Sequence, residues 1–212
     1  MPEYQLYSFD KSGNSYKVAL MLALTGADWE PVFVDYFNGE TRGEPYRSDL
    51  NVMGEAPVLI HRGERFTQSG VILDYLAETT GQFGARSREE QREIWRWILF
   101  DNHKFTSYTA TLRFLRSLAK TGETEVTDFL HKRATAAWSV LDRHLADRSF
   151  VVADRPTVAD LSLAGYVFFD GEIGIDMADY PALSAWRERI RALPGWAHPY
   201  DLMPSAPIAK AP

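Results

Sequence analysis

The chain has 212 residues, with 23 Lys and Arg against 29 Asp and Glu, a net charge of −6, and 45% hydrophobic content. This is an ordinary composition for a soluble globular protein, with room for one large domain or two small ones. The acidic balance speaks against a nucleic-acid groove, which needs clustered Lys and Arg. The chain has no cysteine, which excludes disulfides, thiolate metal sites and a protein thiol nucleophile. No apolar run reaches the roughly 18 residues a membrane span needs, and no basic-then-apolar leader opens the chain, so a cytoplasmic location is expected.

Tyr4 to Phe9 alternates as a strand does, and Val18 to Leu24 is an apolar helical run. Between them lies Ser12-Gly13-Asn14-Ser15, a tight polar turn. Ser and Asn favour helix starts because their side-chain oxygens satisfy unpaired N–H groups. The same turn directs bare N–H groups and the positive end of the helix dipole outward, which suits an anion such as a thiolate. Capping and anion binding are both open readings of this stretch.

The helix ends at Thr25-Gly26. Pro31 to Asp35 is strand-like, and Thr41 to Asp49 is irregular with a short helix. Pro57 to His61 and Arg65 to Gln68 form a hairpin around Arg62-Gly63-Glu64, and Ser69-Gly70 opens another helix. The order βαβ, then ββα, gives a parallel crossover followed by an antiparallel hairpin and helix over residues 1–80. A polar linker covers 81–87, and from 88 to 212 the pattern is helical. The expected helices run over Arg88–Leu118, Glu125–Leu145, Thr157–Phe169 and Pro181–Leu193, with an irregular Pro-rich tail. Thr157-Val158-Ala159-Asp160 has the form of a capping box, with Asp in place of Glu.

With these motifs in order, the chain resembles the cytosolic glutathione transferase family, nearest its bacterial theta- and nu-like members. Four stretches carry the resemblance: Ser12-Gly13-Asn14-Ser15, Gly54-Glu55-Ala56-Pro57-Val58-Leu59, Gln68-Ser69 and Thr157–Asp160. The resemblance implies a thioredoxin-like N-terminal α/β domain and an all-α C-terminal domain. It implies glutathione as co-substrate, no metal and a homodimer. The implied activity is attack of the glutathione thiolate on a small electrophile. A glutathione-dependent disulfide reductase and a non-catalytic binding protein on the same fold are the alternatives.

The resemblance also implies a site. Ser12 and Asn14 hold the sulfur, with Ser15 and Tyr7 as the other hydroxyls in play. Ala56, before a cis Pro57, pairs with the peptide backbone of glutathione as an added strand would. Gln68 and Ser69 take the γ-glutamyl end, where a helix N-terminus favours a carboxylate. Arg42 takes the glycyl carboxylate. Related classes often carry Lys just before the residue that precedes the proline; this chain has Glu55, which leaves the glycyl contact to Arg42 alone. Phe105, Tyr108 and Phe114, with Tyr200 from the tail, are the candidates for an electrophile pocket between the domains, and Asp101 for reaching a neighbouring subunit's glutamyl amine. The five histidines show no ligand spacing.

Overall fold

The structure is a computed structural model that describes residues 2–169 and 171–207. By contact the chain divides into a first unit that runs through Gln82 and is rejoined by the tail from Pro194, and a second spanning Phe83–Leu193.

The first unit is built on a four-stranded sheet of order β2-β1-β3-β4. Strand β1 (Tyr4–Ser8) runs parallel to β2 (Trp29–Phe33) and antiparallel to β3 (Val58–His61), and β4 (Glu64–Thr67) closes the hairpin. Helix α1 (Gly13–Thr25) makes the crossover that parallel pairing requires. It stops at Gly26, which takes the left-handed conformation at φ +68 and donates back to the last turn. A short 3-10 turn (Glu40–Arg42) and α2 (Glu44–Asp49) follow, and α3 (Ser69–Thr80) completes the unit. The register shows what the sheet does for a site. Val58 pairs with Tyr7 on one side and Thr67 on the other. The end of β1, the start of β3 and the end of β4 therefore meet at one end of the sheet.

The tail belongs to this unit, not to the helical one as the sequence suggested. The Asp10 N–H donates to the Pro204 carbonyl at 3.0 Å, and the Tyr16 hydroxyl donates to Ala197 O at 2.9 Å. Gly195 lies so close to Ala23 that a Cβ there would stand 2.7 Å from its carbonyl oxygen. The tail includes a short helix, α9 (Pro199–Leu202).

The second unit is helical. The expected run Arg88–Leu118 comprises α4 (Arg88–Phe100) and α5 (Thr106–Arg113), each followed by a π-helical turn, Asp101–Phe105 and Phe114–Leu118. Each such turn admits an extra residue to the helical ladder. Helix α6 spans Glu125–Leu145, capped by Thr124, and α8 spans Pro181–Arg191 with proline in its first turn. Between them α7 (Val158–Leu163) is shorter than expected, ending before Gly165 and the aromatic run that follows. The Thr157–Asp160 box is present and reaches beyond its helix. The fully buried Asp160 accepts from Thr157 N at 2.8 Å and its hydroxyl at 3.1 Å, from Val151 N at 2.9 Å, and from the Trp186 indole at 2.9 Å. Burial pushes its carboxyl up, and these four donors oppose that. No helix among the described residues is long and apolar enough to cross a membrane.

Candidate functional site

Three segments reach the convergent end of the sheet. The first is the turn into α1. Ser12 caps the helix: its Oγ accepts from Ser15 N at 3.1 Å. A hydroxyl that accepts in this way keeps its own hydrogen to donate elsewhere. Ser15, by contrast, is fully buried, and its Oγ has no hydrogen-bond partner among the described residues. Asn14 is half-buried; its Oδ1 is buried without a partner among the described residues, which leaves the amide nitrogen as the accessible end. Tyr7 packs against the cluster of Phe9, Val34, Tyr46 and Val58 under the sheet.

The second segment leads into β3. The Ala56–Pro57 bond is cis. The Ala56 methyl packs on the same core cluster, while its N–H and C=O enter no backbone hydrogen bond among the described residues. This leaves a stretch of unpaired backbone just ahead of β3 among those residues. Several residues hold it that the sequence did not single out. The Glu55 carbonyl accepts from the Tyr46 hydroxyl at 3.0 Å and from Asn51 Nδ2 at 2.8 Å. Burial, with the charge of Glu40, pushes the Tyr46 hydroxyl far above the ordinary phenol range, so it stays a donor. Gly54 sits at φ +67, and a Cβ there would stand 2.7 Å from Thr41 O and 2.9 Å from the Arg47 guanidinium. Only glycine fits. Its place before Glu-Ala-Pro was the one sequence signal for this support.

The third segment is the start of α3. Gln68 adopts φ +67, and no side chain caps the helix. The N–H groups of Ser69, Gly70 and Val71 have no backbone acceptor among the described residues, and Ser69 is buried. The Gln68 amide nitrogen instead donates to the Glu55 carboxylate at 2.8 Å, with Met53 Sδ at 3.1 Å. Arg42 is exposed, its guanidinium lying over Gly39, and it makes no ion pair among the described residues. Ser12, Asn14, Ala56, Pro57, Gln68 and Ser69 thus belong to segments that the strand pairing brings to one end of the sheet.

The residues expected at the electrophile pocket separate. Phe105 is fully buried and stacked on Trp138 at 5.5 Å between ring centroids. It is core, and a ring with no exposed surface cannot line a pocket. Tyr108 is half-buried with Arg133 over its ring at 6.0 Å, and Phe114 is 41% exposed. Tyr200 is exposed in the tail. Asp101 cannot reach a neighbour: it is fully buried, with its carboxylate accepting from Thr106 and Ser162 hydroxyls at 2.6 Å each. A cavity of about 500 Å³ in the second unit is lined by Arg86, Glu90, Arg148 and Arg155, and includes none of the expected residues.

A free strand edge and an uncapped helix start thus lie at one end of the sheet, and comparison with known proteins gives the family. Residues 2–78 match the family model of the glutathione S-transferase N-terminal domain, and residues 106–194 that of the C-terminal domain. The chain is 32% identical to the maleylacetoacetate isomerase of Rhizobium meliloti (strain 1021) over 93% of its own length and 96% of that protein. It is 30% identical to a glutathione S-transferase of Pseudomonas fluorescens [Pf-5], whose crystal structure superposes with a TM-score of 0.87 over 93% of this chain and 98% of that one. A glutathione transferase of Burkholderia graminis shares the fold at 24% identity and a TM-score of 0.80, over 92% of this chain and 85% of that one. It binds two glutathione molecules per subunit. The chain belongs to the glutathione S-transferase family, and it is an enzyme of that family.

Proposed function

We propose that this glutathione transferase holds glutathione along the convergent end of its sheet and presents the sulfur, as thiolate, to a small electrophile. The observation that carries this reading is the direction of the Ser12 bond. Its oxygen accepts from Ser15 N, so its hydrogen is available to the sulfur. A free thiol ionises near 8.5, and keeping it mostly ionised at neutral pH takes a drop of about two units, or about 2.7 kcal/mol. The Ser12 hydroxyl, the Asn14 amide and the N-terminus of the 13-residue α1 are donors and a dipole suited to supply it together. Ser12 gives up no proton; it stabilises the charge. The free N–H and C=O of Ala56 pair with the cysteinyl residue, and Ser69 and the open turn of α3 take the γ-glutamyl carboxylate. Arg42 is assigned the glycyl carboxylate. Tyr108 and Phe114 remain as electrophile contacts. Glutathione acts as co-substrate, and the working form is a cytoplasmic homodimer.

The test is the pH dependence of conjugation to a chloronitrobenzene. Ser12→Ala moves the onset of activity to higher pH if Ser12 faces the sulfur, and an unmoved profile removes it from that role. Activity on a model disulfide, with none on the chloronitrobenzene, would favour glutathione-dependent disulfide reduction. Calorimetry showing no glutathione binding at millimolar ligand would remove the glutathione reading and favour a protein that uses this fold only for binding something else.

A second reading has a specific support, the near-full-length identity to a maleylacetoacetate isomerase. The same thiolate would add to the cis double bond of a maleyl group, forming a C–S bond as the π electrons move onto the conjugated carbonyl. Rotation about the resulting single bond, then return of the electrons with loss of the thiolate, gives the trans alkene and regenerates glutathione. Glutathione consumption separates the two readings: stoichiometric in transfer, zero in isomerisation.

A further inference from the structure

We infer that Glu55, together with Gln68, forms the seat for the α-ammonium group of the peptide's γ-glutamyl end. The inference rests on the glutathione reading above and deepens it.

The Glu55 carboxylate is exposed, and no cation pairs with it among the described residues. The hydrogen bond it receives is from Gln68 Nε2, at 2.8 Å. That bond fixes the orientation of the Gln68 amide. With its nitrogen given to Glu55 and Met53, its Oε1 faces away as an unused acceptor. The Glu55 carboxylate and the Gln68 Oε1 are therefore a charged and a neutral acceptor flanking the Gln68 amide nitrogen, and such a pair is the complement of a cation with several N–H bonds to give. One residue further, α3 begins with three unused N–H groups and the Ser69 hydroxyl, the complement of a carboxylate. A cation site directly beside an anion site matches an α-amino acid head group, whose ammonium and carboxylate share one carbon. The γ-glutamyl residue carries that zwitterion.

The arrangement is held in place before any ligand arrives. The Glu55 carbonyl is fixed by Tyr46 and Asn51, and Gly54 allows the chain to turn into it. Gln68, at φ +67 on the junction of strand and helix, is held by its bond to Glu55. Asp101, the other carboxylate considered for the glutamyl amine, is buried and bound to Thr106 and Ser162. Glu55 thus has a different meaning from an acid set against the glycyl carboxylate.

Calorimetry on the full chain tests this with three probes: glutathione, its analogue lacking the γ-glutamyl amine (glutaryl-cysteinyl-glycine), and glutathione amidated at the glycyl end. The unmodified protein is expected to prefer glutathione over the des-amino analogue by about 10- to 100-fold. Glu55→Gln, nearly isosteric and able to keep the bond to Gln68, should lose most of that preference by weakening glutathione and leaving the des-amino analogue unchanged. Ser12→Ala should keep it, because the sulfur is remote from the amine. A Glu55→Gln protein that retains the full preference overturns the inference. So does one that binds glutathione more tightly while losing its preference for the amidated analogue, since Glu55 would then oppose the glycyl carboxylate. Melting curves establish that each variant is folded. No glutathione binding by the unmodified protein overturns the glutathione reading itself, an outcome distinct from either variant pattern.

Discussion

The side-chain amide of Gln68 donates to the carboxylate of Glu55 across 2.8 Å, tying the residue that opens α3 to the segment that leads into β3. Thirteen positions separate the two in sequence, and the pairing of Val58 with Thr67 in the hairpin brings them together. A side chain that looked like a misplaced charge in the sequence has a partner and a geometry in the fold.

The two serines of the first turn should behave oppositely. Ser12→Ala removes a donor to the sulfur and the acceptor of a cap bond. It should raise the apparent thiol pKa by about 1–2 units and cost about 1 kcal/mol of stability. Ser15→Ala removes a buried hydroxyl that has no partner, so it should be neutral or stabilising by about 1 kcal/mol and leave the pH profile in place. Paired pH–rate and melting measurements check both.

Asp160 is more than a helix cap. Local capping alone is worth about 1 kcal/mol. Its carboxylate, however, also holds the backbone at Val151 and the indole of Trp186 on α8. Asp160→Ala leaves four donors in a dry interior and should cost about 3–5 kcal/mol, seen as a fall in melting temperature of roughly 10 °C. Thr157→Ala, which removes one of those donors, should cost only about 1 kcal/mol.

Gly54→Ala should impair both stability and binding. The added Cβ meets the Thr41 carbonyl at 2.7 Å in a left-handed backbone, which costs about 1–3 kcal/mol. Relief moves the chain at Glu55 and Ala56, so glutathione affinity should fall with the melting temperature. Titration and thermal melts on the same preparation test the coupling.

Phe105 and Phe114 should separate core from surface. Phe105→Ala opens a hole beside Trp138 and should cost about 3–5 kcal/mol. Phe114→Ala, at a ring 41% exposed, should change stability by less than about 0.5 kcal/mol. If Phe114 meets the electrophile, its loss raises the KM for that substrate and leaves the glutathione KM unchanged.

The first unit was legible in the sequence because its signals are local: alternation in Tyr4 to Phe9, the polar turn at Ser12, and the Ala56-Pro57 and Gln68-Ser69 junctions. The segments of the candidate site were legible for the same reason. The misses came from relations no short window contains. Helical spacing identified Phe105 as inward-facing, but spacing cannot distinguish a wall of a cavity from packed core. Asp101 looked available because its two hydroxyl partners lie five and 61 positions away. Helix α7 stops at Leu163 because Gly165 and the aromatic and β-branched residues after it are weak helix formers. The apolar pattern continues past that point and hides the stop.

The return of the tail to the first unit makes the helical unit an insertion in the chain's topology. Two bonds from the tail fall on either side of Ser12, at Asp10 and at Tyr16. The segment from Ala197 to Pro204 is therefore a splint for the turn into α1. A protein cut after Leu193 would keep every residue of the sulfur turn and lose the brace on either side of it. Its first measurable defect should be in how well that turn holds a thiolate, before any loss of the helical unit.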